Sequence, residues 1–350
     1  MLSEGEKMAV TIKDIAKAAQ VDKAAVSLTL RNHPEAKRLR PETRERILKA
    51  ARELGYQRNL LAWSTRTGIV NTIAVIGRFR KDDILSYTNQ MLAGILPTCT
   101  QFGYNIKVYP DTNLEAAFEE ISGNRISHVI SLSVDPAERR KAAEFCRRYQ
   151  LNLVYVFEDA YDGFPSVNTD NFASAREIVN YLVSIGHRRI GLLCVPHRYL
   201  YIRERHDGYL QGLRDAGIEI DPRLIDCSDR PEQAFALMMR LPETERPTAL
   251  FAISDSIAIE VERLAILNGF KVPEELSVFG FGNSECCKSA FVPVSSVEES
   301  SYDRGELAVK IILNKPLEIP RREDGRYLIP PLLVHRDSAA PCKHETMGVK

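Results

Sequence analysis

The chain has 350 residues, which is enough for about two or three domains with a sizeable hydrophobic core. Its hydrophobic (44%) and charged (27%) fractions are ordinary for a globular protein, and the lack of any run of about 18 apolar residues excludes a membrane span. The 47 basic and 47 acidic side chains cancel, but they are unevenly spread. Residues 1–68 hold 14 Lys or Arg against 8 Asp or Glu, a net charge of +6, which points to nucleic acid as a partner of this end.

The seven cysteines are an odd number, are widely spread and include no Cys-x-x-Cys pair. This pattern is typical of reduced thiols in a cytoplasm rather than of a disulfide framework. The N-terminal residues lack the basic region and the apolar core of a secretory signal. We therefore expect a cytoplasmic protein.

The first predicted elements are three short helices between residues 11 and 54. Apolar residues from Ile12 to Leu30 recur at spacings that make one buried face on two helices. The start signals are the Thr11–Asp14 capping pair, Asp22 and Pro41, and the stop signal is Gly55. Two such helices, joined by a tight turn and cationic outside, can place the second helix in a DNA major groove. A small helical bundle with a solvated basic face is the alternative, and charge and periodicity do not separate the two.

From Thr72 onward, short β-branched runs alternate with longer helical patterns. The predicted strands are Ile73–Ile76, Val129–Leu132, Leu153–Val156, Ile190–Leu193, Ala249–Ile253 and Ser277–Phe279. Continuous apolar strands of this kind are typical of parallel sheets that helices cover on both faces. The sequence therefore predicts an α/β fold for the body of the chain.

Blocks of sequence along the whole chain resemble one family. In the basic end the blocks are Val10–Ala19, Val26–Ser27, Pro41–Ile47, Leu54–Tyr56 and Asn59. In the body they are Val167–Asn171, Gly186–Gly191, Arg205 with Gly208–Tyr209, Asp255 with Ala258, Gly269–Pro273, Leu276–Phe281 and Leu333–Arg336. Together they closely resemble the lactose-repressor (LacI/GalR) family of regulators, and only the first nine residues and the last dozen lie outside the resemblance.

This resemblance implies an all-α helix-turn-helix headpiece and a doubly wound, two-subdomain α/β effector domain like that of periplasmic binding proteins. Three crossing strands, expected near Pro165, Ser296 and Leu328, would join the subdomains, with a ligand cleft between them. The implied domains are a headpiece (1–58), a hinge helix and linker (59–71), an N-subdomain (72–165 and 297–327), a C-subdomain (166–296 and 328–340) and a tail (341–350).

Sequence readout is expected at the start of the second helix, where side chains reach base edges in the major groove. By resemblance Lys23 and Ala24 are the main readers, although a cation such as Lys23 can equally be solvated. Leu28 stands where many family members have a base-contacting arginine. The candidate DNA contacts are Thr11, Asp22, Lys23, Ala24, Ala25, Ser27, Leu28, Arg31, Asn32, Asn59, Ala62 and Thr65, with Thr29 and Arg58 as further phosphate contacts.

Residues Asn59–Arg66 correspond to the family's hinge helix, which folds in the minor groove when two copies meet over the operator centre. Thr65 occupies the position of the family's leucine wedge, and Leu61 lies one helical turn earlier on the same face. Trp63 is the only tryptophan, and packing against the core is its alternative role.

In the cleft, Arg205 matches the family's effector-binding arginine, whose forked donors hold ligand oxygens. A surface ion pair is the alternative for Arg205, and helix capping is the alternative for Asp255. Sugar-binding members have an aspartate where this chain has Gly282, so a simple sugar effector is doubtful. The candidate effector contacts are Tyr87, Glu158, Arg205, Ser254, Asp255, Gly282 and Asn283.

Signals for an enzyme are poor. Gly280-Phe281-Gly282 opens like a dinucleotide loop, but Glu285 occupies the third glycine position. The sequence has no phosphate loop, no Gly-x-Ser-x-Gly and no histidine pair at metal spacing, so we expect no catalysis, cofactor or metal. Adjacent Cys286 and Cys287 are interpreted as packing residues.

We therefore expect a DNA-binding transcriptional regulator, a repressor, that binds a near-palindromic operator as a homodimer. A small-molecule effector, a sugar derivative or a nucleoside, would control its DNA affinity. Residues 338–350 contain no leucine heptad, so a tetramer is not expected. A solute-binding protein of the periplasmic type is the alternative, and the basic headpiece and the missing signal peptide argue against it.

Overall fold

The computed structural model describes residues 10–31, 33–57, 70–79, 87–228 and 230–343. The chain divides between Ile69 and Val70 into two compact units. Within the described ranges, every helix is too short or too polar to cross a bilayer.

The first unit is a bundle of three α-helices. They are α1 (Ile12–Ala18), α2 (Lys23–Leu30) and α3 (Pro41–Glu53), with a 3₁₀ turn at Pro34–Arg38. The predicted start signals are confirmed. The Asp14 carboxylate accepts hydrogen bonds from the N–H (2.8 Å) and the hydroxyl (2.7 Å) of Thr11. The Asp22 carboxylate accepts from the N–H of Ala25 at 2.6 Å, and Pro41 is the first residue of α3.

A small core holds the three helices together. One fully buried side chain comes from each helix: Ile15, Val26 and Ile47. The Arg46 guanidinium donates to the carbonyl oxygen of Ala19 at 2.8 Å, which ties α3 to the turn between α1 and α2. The turn therefore keeps its shape through tertiary contacts as well as through its caps.

The second unit has two lobes. The N-lobe contains a six-stranded parallel sheet, ordered β11-β5-β4-β3-β1-β2, which is covered by α4, α5, α6 and α12. Its strands are β1 (Thr72–Gly77), β2 (Asn105–Pro110), β3 (His128–Ser131), β4 (Asn152–Val156), β5 (Ser166–Thr169) and β11 (Arg326–Ile329). Its helices are α4 (Tyr87–Gln101), α5 (Leu114–Gly123), α6 (Pro136–Tyr149) and α12 (Ser301–Ile312).

The C-lobe contains a four-stranded parallel sheet, ordered β7-β6-β8-β9. Its strands are β6 (Ile190–Leu193), β7 (Ile225–Asp226), β8 (Ala249–Ala252) and β9 (Ser277–Phe279). Its helices are α7 (Asn171–Ser184), α8 (Leu200–Asp215), α9 (Pro231–Met239), α10 (Asp255–Leu267) and the short α11 (Cys286–Ser289). All six predicted strands are present in the two sheets, and their parallel pairing confirms the predicted α/β architecture. Apolar side chains cover both faces of each sheet, which is typical of parallel sheets packed between helices.

The chain passes between the lobes three times. β10 (Ser296–Val297) and β12 (Leu333–Val334) form a small antiparallel pair on the crossing segments. β5 and β11 lie next to each other in the N-lobe sheet, with Ser166 opposite Arg326 and Thr169 opposite Ile329. Residues 166–169 and 328–329, which follow the expected subdomain boundaries at 165 and 327, thus pair in the N-lobe sheet. Three of the four residues of Ser166–Thr169 are polar, so the apolar pattern did not predict this buried strand, which pairs with β4 and β11.

Candidate functional site

The N-terminal end of α2 presents one cationic and one small side chain to solvent. Lys23 and Ala24 are both exposed, and Arg31 is exposed just after the helix ends. Ser27 and Leu28, one turn further along α2, are half-buried. The exposed pair satisfies the steric requirement for base contact in a major groove, and these roles stay predictions.

Other predicted DNA contacts interact with residues of the first unit itself, as Asp22 does when it caps α2. Ala25 is only 7% exposed and packs in the core with Ile15 and Val26, and Thr29 is also buried. Their side chains face the bundle interior, and their DNA contacts stay predictions. Thr11 remains exposed, with its hydroxyl held by Asp14.

Other predicted contacts lie outside the described residues. They are Asn32, Asn59, Ala62 and Thr65 among the candidates, with Arg58, Leu61 and Trp63 in the same segment. Their roles stay predictions.

A cavity of about 350 Å³ lies between the two lobes of the second unit. Both lobes contribute aromatic and polar side chains to its wall. The N-lobe supplies Arg78, Tyr87, Asp111, Ser133, Glu138 and Phe157, and the C-lobe and crossing segment supply Tyr199, Tyr201, Arg205, Ser254, Ile257 and Glu299. Three of the predicted effector contacts, Tyr87, Arg205 and Ser254, are therefore brought together here.

Arg205 is buried and held from several sides. Its guanidinium donates to the Asn171 side chain, the Ile253 carbonyl and the Glu299 carboxylate, each at 2.9 Å. Its carbon atom Cζ lies 3.5 Å from the centre of the Phe281 ring. Only 3% of the residue is exposed, so the alternative of a surface ion pair is wrong. Since a guanidinium has five N–H donors, this fixed group keeps donors for a ligand in the cavity.

Glu299 is the partner that the sequence did not reveal. Its Oε1 lies 2.9 Å from Arg205 and 3.5 Å from the fully buried Arg304, so two cations share one carboxylate oxygen. Its other oxygen, Oε2, is buried without a hydrogen-bond partner among the described residues. A buried, unpartnered carboxylate oxygen in a cavity wall is a strong acceptor for a ligand hydroxyl or amino group.

The N-lobe wall carries an excess of acid. Arg78 contacts both Asp111 (3.3 Å) and Glu138 (2.6 Å), and Ser133 donates to Asp111 at 3.1 Å. Burial and the neighbouring Asp111 raise the pKa of Glu138 to about 7. Glu138 Oε2 is buried and has no hydrogen-bond partner among the described residues. This wall therefore offers one carboxylate, Glu138, whose charge changes near neutral pH.

Gly282 lies beside the cavity residue Tyr87. Its φ is +132°, and a Cβ atom added there would be 2.5 Å from the Tyr87 hydroxyl and 2.9 Å from Asp255 Oδ2. The aspartate of the sugar-binding pattern therefore does not fit this arrangement. Burial raises the pKa of Tyr87, so its phenol remains neutral and can both donate and accept.

Three predicted effector contacts bind other parts of the protein, and none belongs to the described cavity wall. Glu158 accepts from the N–H of Leu200 at 2.8 Å, at the start of α8. Asp255 accepts from the Ser296 hydroxyl (2.5 Å) and the Ser284 N–H (2.6 Å). These two carboxylates position the crossing segment and α8, and their effector contacts stay predictions.

Asn283 is likewise engaged within the protein. Its side chain donates to Glu298 at 2.6 Å and accepts from Arg336 at 2.5 Å. Both partners lie on or next to crossing segments, so Asn283 links the C-lobe to these segments. Its effector role stays a prediction.

The fold and the cleft define a class of protein: a ligand-binding α/β domain with two lobes, preceded by a helix-turn-helix unit. Residues 11–59 match the family model described as "Bacterial regulatory proteins, lacI family", and residues 179–339 match "Periplasmic binding protein-like domain". The chain is 30% identical over 325 residues to the HTH-type transcriptional repressor CytR of Escherichia coli (strain K12), covering 90% of this chain and 92% of CytR. The chain belongs to the lacI family of bacterial regulatory proteins, and it is a DNA-binding transcriptional regulator with an effector-binding domain.

Two further comparisons agree with this assignment. The HTH-type transcriptional repressor PurR of Haemophilus influenzae (strain PittEE) is 25% identical, covering 94% of this chain and 98% of PurR. The solved structure of the lac repressor dimer bound to operator and the anti-inducer ONPF shares the fold, with a TM-score of 0.74 and 21% identity, covering 95% of this chain and 99% of that one. The family-model match at the headpiece favours a regulator over a periplasmic-type solute-binding protein.

Proposed function

We propose that this regulator acts in the cytoplasm as a homodimer and reads a near-palindromic operator with Lys23 and Ala24, without catalysing a reaction. Both residues are exposed at the start of α2, which is the end of a recognition helix that meets base edges. The lac repressor structure described above is a dimer on its operator, which supports two headpieces on two half-sites. Half-sites related by a two-fold axis follow from such a dimer.

The effector we propose is a small neutral molecule with a planar ring and several hydrogen-bond donors, of the nucleoside class. The observation that carries this is the buried, unpartnered Oε2 of Glu299 beside the pinned guanidinium of Arg205. The stacked rings of Tyr199 and Tyr201, 5.8 Å apart, line the same cavity and suit a planar group. Gly282 removes the carboxylate that a simple sugar would need.

The control mechanism we propose is a shift between arrangements of the two lobes. A ligand in the cavity touches Tyr87 and Phe157 of the N-lobe and Arg205 and Ser254 of the C-lobe. It therefore favours the lobe arrangement in which both walls reach it. The ligand changes DNA affinity only to the extent that it binds the DNA-competent and the incompetent arrangements differently.

The DNA part is tested by selecting binding sites from a random duplex pool with the full-length protein. We expect a two-fold symmetric consensus, and affinity that falls steeply as salt rises because counterions are released. The substitution Lys23→Ala should weaken binding to the consensus by about 1–3 kcal/mol and relax the base preference. Lys49→Ala, which changes an exposed lysine of α3, is the matched control and should keep the base preference. A pool without a consensus would refute the headpiece assignment.

The effector part is tested by calorimetric titration with a panel of nucleosides and sugars. We expect a nucleoside to bind and simple sugars to fail. Glu299→Gln should reduce nucleoside affinity by tenfold or more, since a hydrogen bond to a charged group contributes about 1.5–3 kcal/mol. The proposed ligand class would be refuted if a simple sugar binds and Glu299→Gln binds it with the same affinity as wild type.

A further inference from the structure

A cluster of thiol and imidazole groups lies at one edge of the C-lobe sheet. Cys194 directly follows β6 and Cys227 directly follows β7. These strands are parallel neighbours, with Leu193 opposite Asp226, so the two cysteines leave the sheet side by side. His197 lies in the loop from β6 to α8. One ligand atom from each of these three residues lies within 4.8 Å of the other two.

The cluster has a buried side and an open side. Cys194 is fully buried, Cys227 is half-buried and His197 is exposed. An ion could therefore enter past His197 and reach two sulfur atoms at the edge of the core. The His206 ring, on α8, lies 4.5 Å from the His197 ring and supports it from the side.

Two thiolates and an imidazole are the donors that Zn²⁺ prefers. Tetrahedral Zn–S and Zn–N bonds of about 2.3 and 2.0 Å place neighbouring ligand atoms roughly 3.5–3.8 Å apart, so a movement of about 1 Å closes the cluster around an ion. The cluster contains no carboxylate, whereas Mg²⁺ and Ca²⁺ prefer oxygen donors.

We propose that Cys194, Cys227 and His197 form a Zn²⁺-binding site, with the fourth coordination position open to water. The strand ends of β6 and β7 position the two sulfur atoms, and the loop after β6 positions the imidazole. Three protein ligands and one open position are typical of zinc sites that remain accessible.

The site adjoins the cleft. Val195 and Tyr199 line the cavity and lie on either side of His197 in the same loop. An ion bound by Cys194 and His197 would fix this loop and so act on the cavity wall. The effect of the ion on the cavity rests on the proposed function of the cleft, whereas the metal site itself does not.

The test uses the full-length protein, kept reduced and freed of metal, with Co²⁺ as the spectroscopic probe. We expect one Co²⁺ per chain, with a thiolate-to-cobalt charge-transfer band and the visible bands of a tetrahedral ion, and displacement by Zn²⁺. Cys227→Ser and His197→Ala should each weaken Co²⁺ binding at least about tenfold, since even the loss of an outer-shell partner has that effect. Cys227→Ser should also reduce the charge-transfer band by about half, because one of two sulfur ligands is removed.

The matched control is Cys286→Ser, which removes an exposed cysteine outside the cluster and should leave the titration unchanged. We choose the half-buried Cys227 and the exposed His197 for substitution, because a polar substitution of the buried Cys194 can impair folding. The metal readout does not involve an effector, so failure of the proposed nucleoside would leave it standing. Wild-type protein without the charge-transfer band, or Cys227→Ser and His197→Ala variants that bind Co²⁺ like wild type, would overturn the proposal. A Cys194–Cys227 disulfide that forms in place of metal binding would also overturn it.

Discussion

The two walls of the cleft balance their charges differently. On the C-lobe side, Arg205 is paired with Glu299 of a crossing segment, whose carboxylate also lies next to Arg304 of the N-lobe helix α12, and all three groups are buried. On the N-lobe side, Asp111 and Glu138 share the single guanidinium of Arg78, which is half exposed. The pair around Arg205 therefore belongs to a buried network, whereas the N-lobe wall has excess acid next to solvent.

This difference teaches how the two lobes can divide the work of binding. A buried network holds its geometry because a member that moves away leaves buried polar or charged groups without their partners. A partly exposed acidic group instead responds to pH and to the arrival of a ligand. We expect the C-lobe wall to fix ligand orientation and the N-lobe wall to tune affinity.

The largest effect should come from breaking the C-lobe network. Arg205→Ala leaves the buried acceptors Asn171, Ile253 and Glu299 without the donors of Arg205, and we expect the free energy of unfolding to fall by about 3–5 kcal/mol. Urea denaturation followed by circular dichroism measures this change. The control Arg263→Ala breaks an exposed ion pair with Glu260 on α10 and should cost less than about 1 kcal/mol. Equal losses in the two variants would remove the contrast between the walls.

A smaller effect should come from adding one methyl group between the lobes. Gly282→Ala places a Cβ 2.5 Å from the Tyr87 hydroxyl at a positive φ, and we expect a loss of about 1–3 kcal/mol together with weaker effector binding. Gly163→Ala is matched to it because Gly163 also has a positive φ (+82°), but nothing lies within 4 Å of the added atom. Thermal unfolding of both variants separates the backbone strain from the contact with Tyr87. If Gly282→Ala binds the effector like Gly163→Ala, Tyr87 does not shape the cavity.

The smallest effect should be a pH dependence that arises in the N-lobe wall. The pKa of Glu138 is raised from 4.5 to about 7, so the folded state holds a proton that the unfolded state has lost across this interval. Stability from this group is therefore greatest below pH 4.5 and falls as the pH rises toward 7. Urea midpoints measured across this range should decline more in wild type than in Glu138→Gln, which cannot titrate. Parallel pH profiles for the two proteins would show that Glu138 is not perturbed.

Sequence patterns predicted the local elements well. The caps of α1 and α2, the proline start of α3 and the six apolar strands all follow from interactions between residues close in the chain. The family resemblance also led to Arg205, whose position in the cleft wall the structure shows. Lys23 and Ala24 are exposed as expected, and their DNA contacts stay predictions.

Patterns were less informative where burial depends on distant partners. Ala25 and Asp255 have side chains that suit a binding site, yet one packs in the headpiece core and the other holds Ser284 and Ser296. β5 has only one apolar residue, Val167, so it does not look like a buried strand until β4 and β11 pair with it. A one-dimensional pattern contains no information about which of these partners will be present.

The amino-acid sequence by itself determined the class of this protein: a basic helix-turn-helix end, a parallel α/β body and membership of a regulator family. Helix caps and apolar periodicity act over a few residues, so they can be read directly from the chain. Only the tertiary structure decided that Glu299 meets Arg205 from 94 positions away, and that Cys194 meets Cys227 at adjacent strand ends. Such sites arise when parallel strands and crossing segments place distant side chains together, and their chemistry depends on the burial that this packing creates.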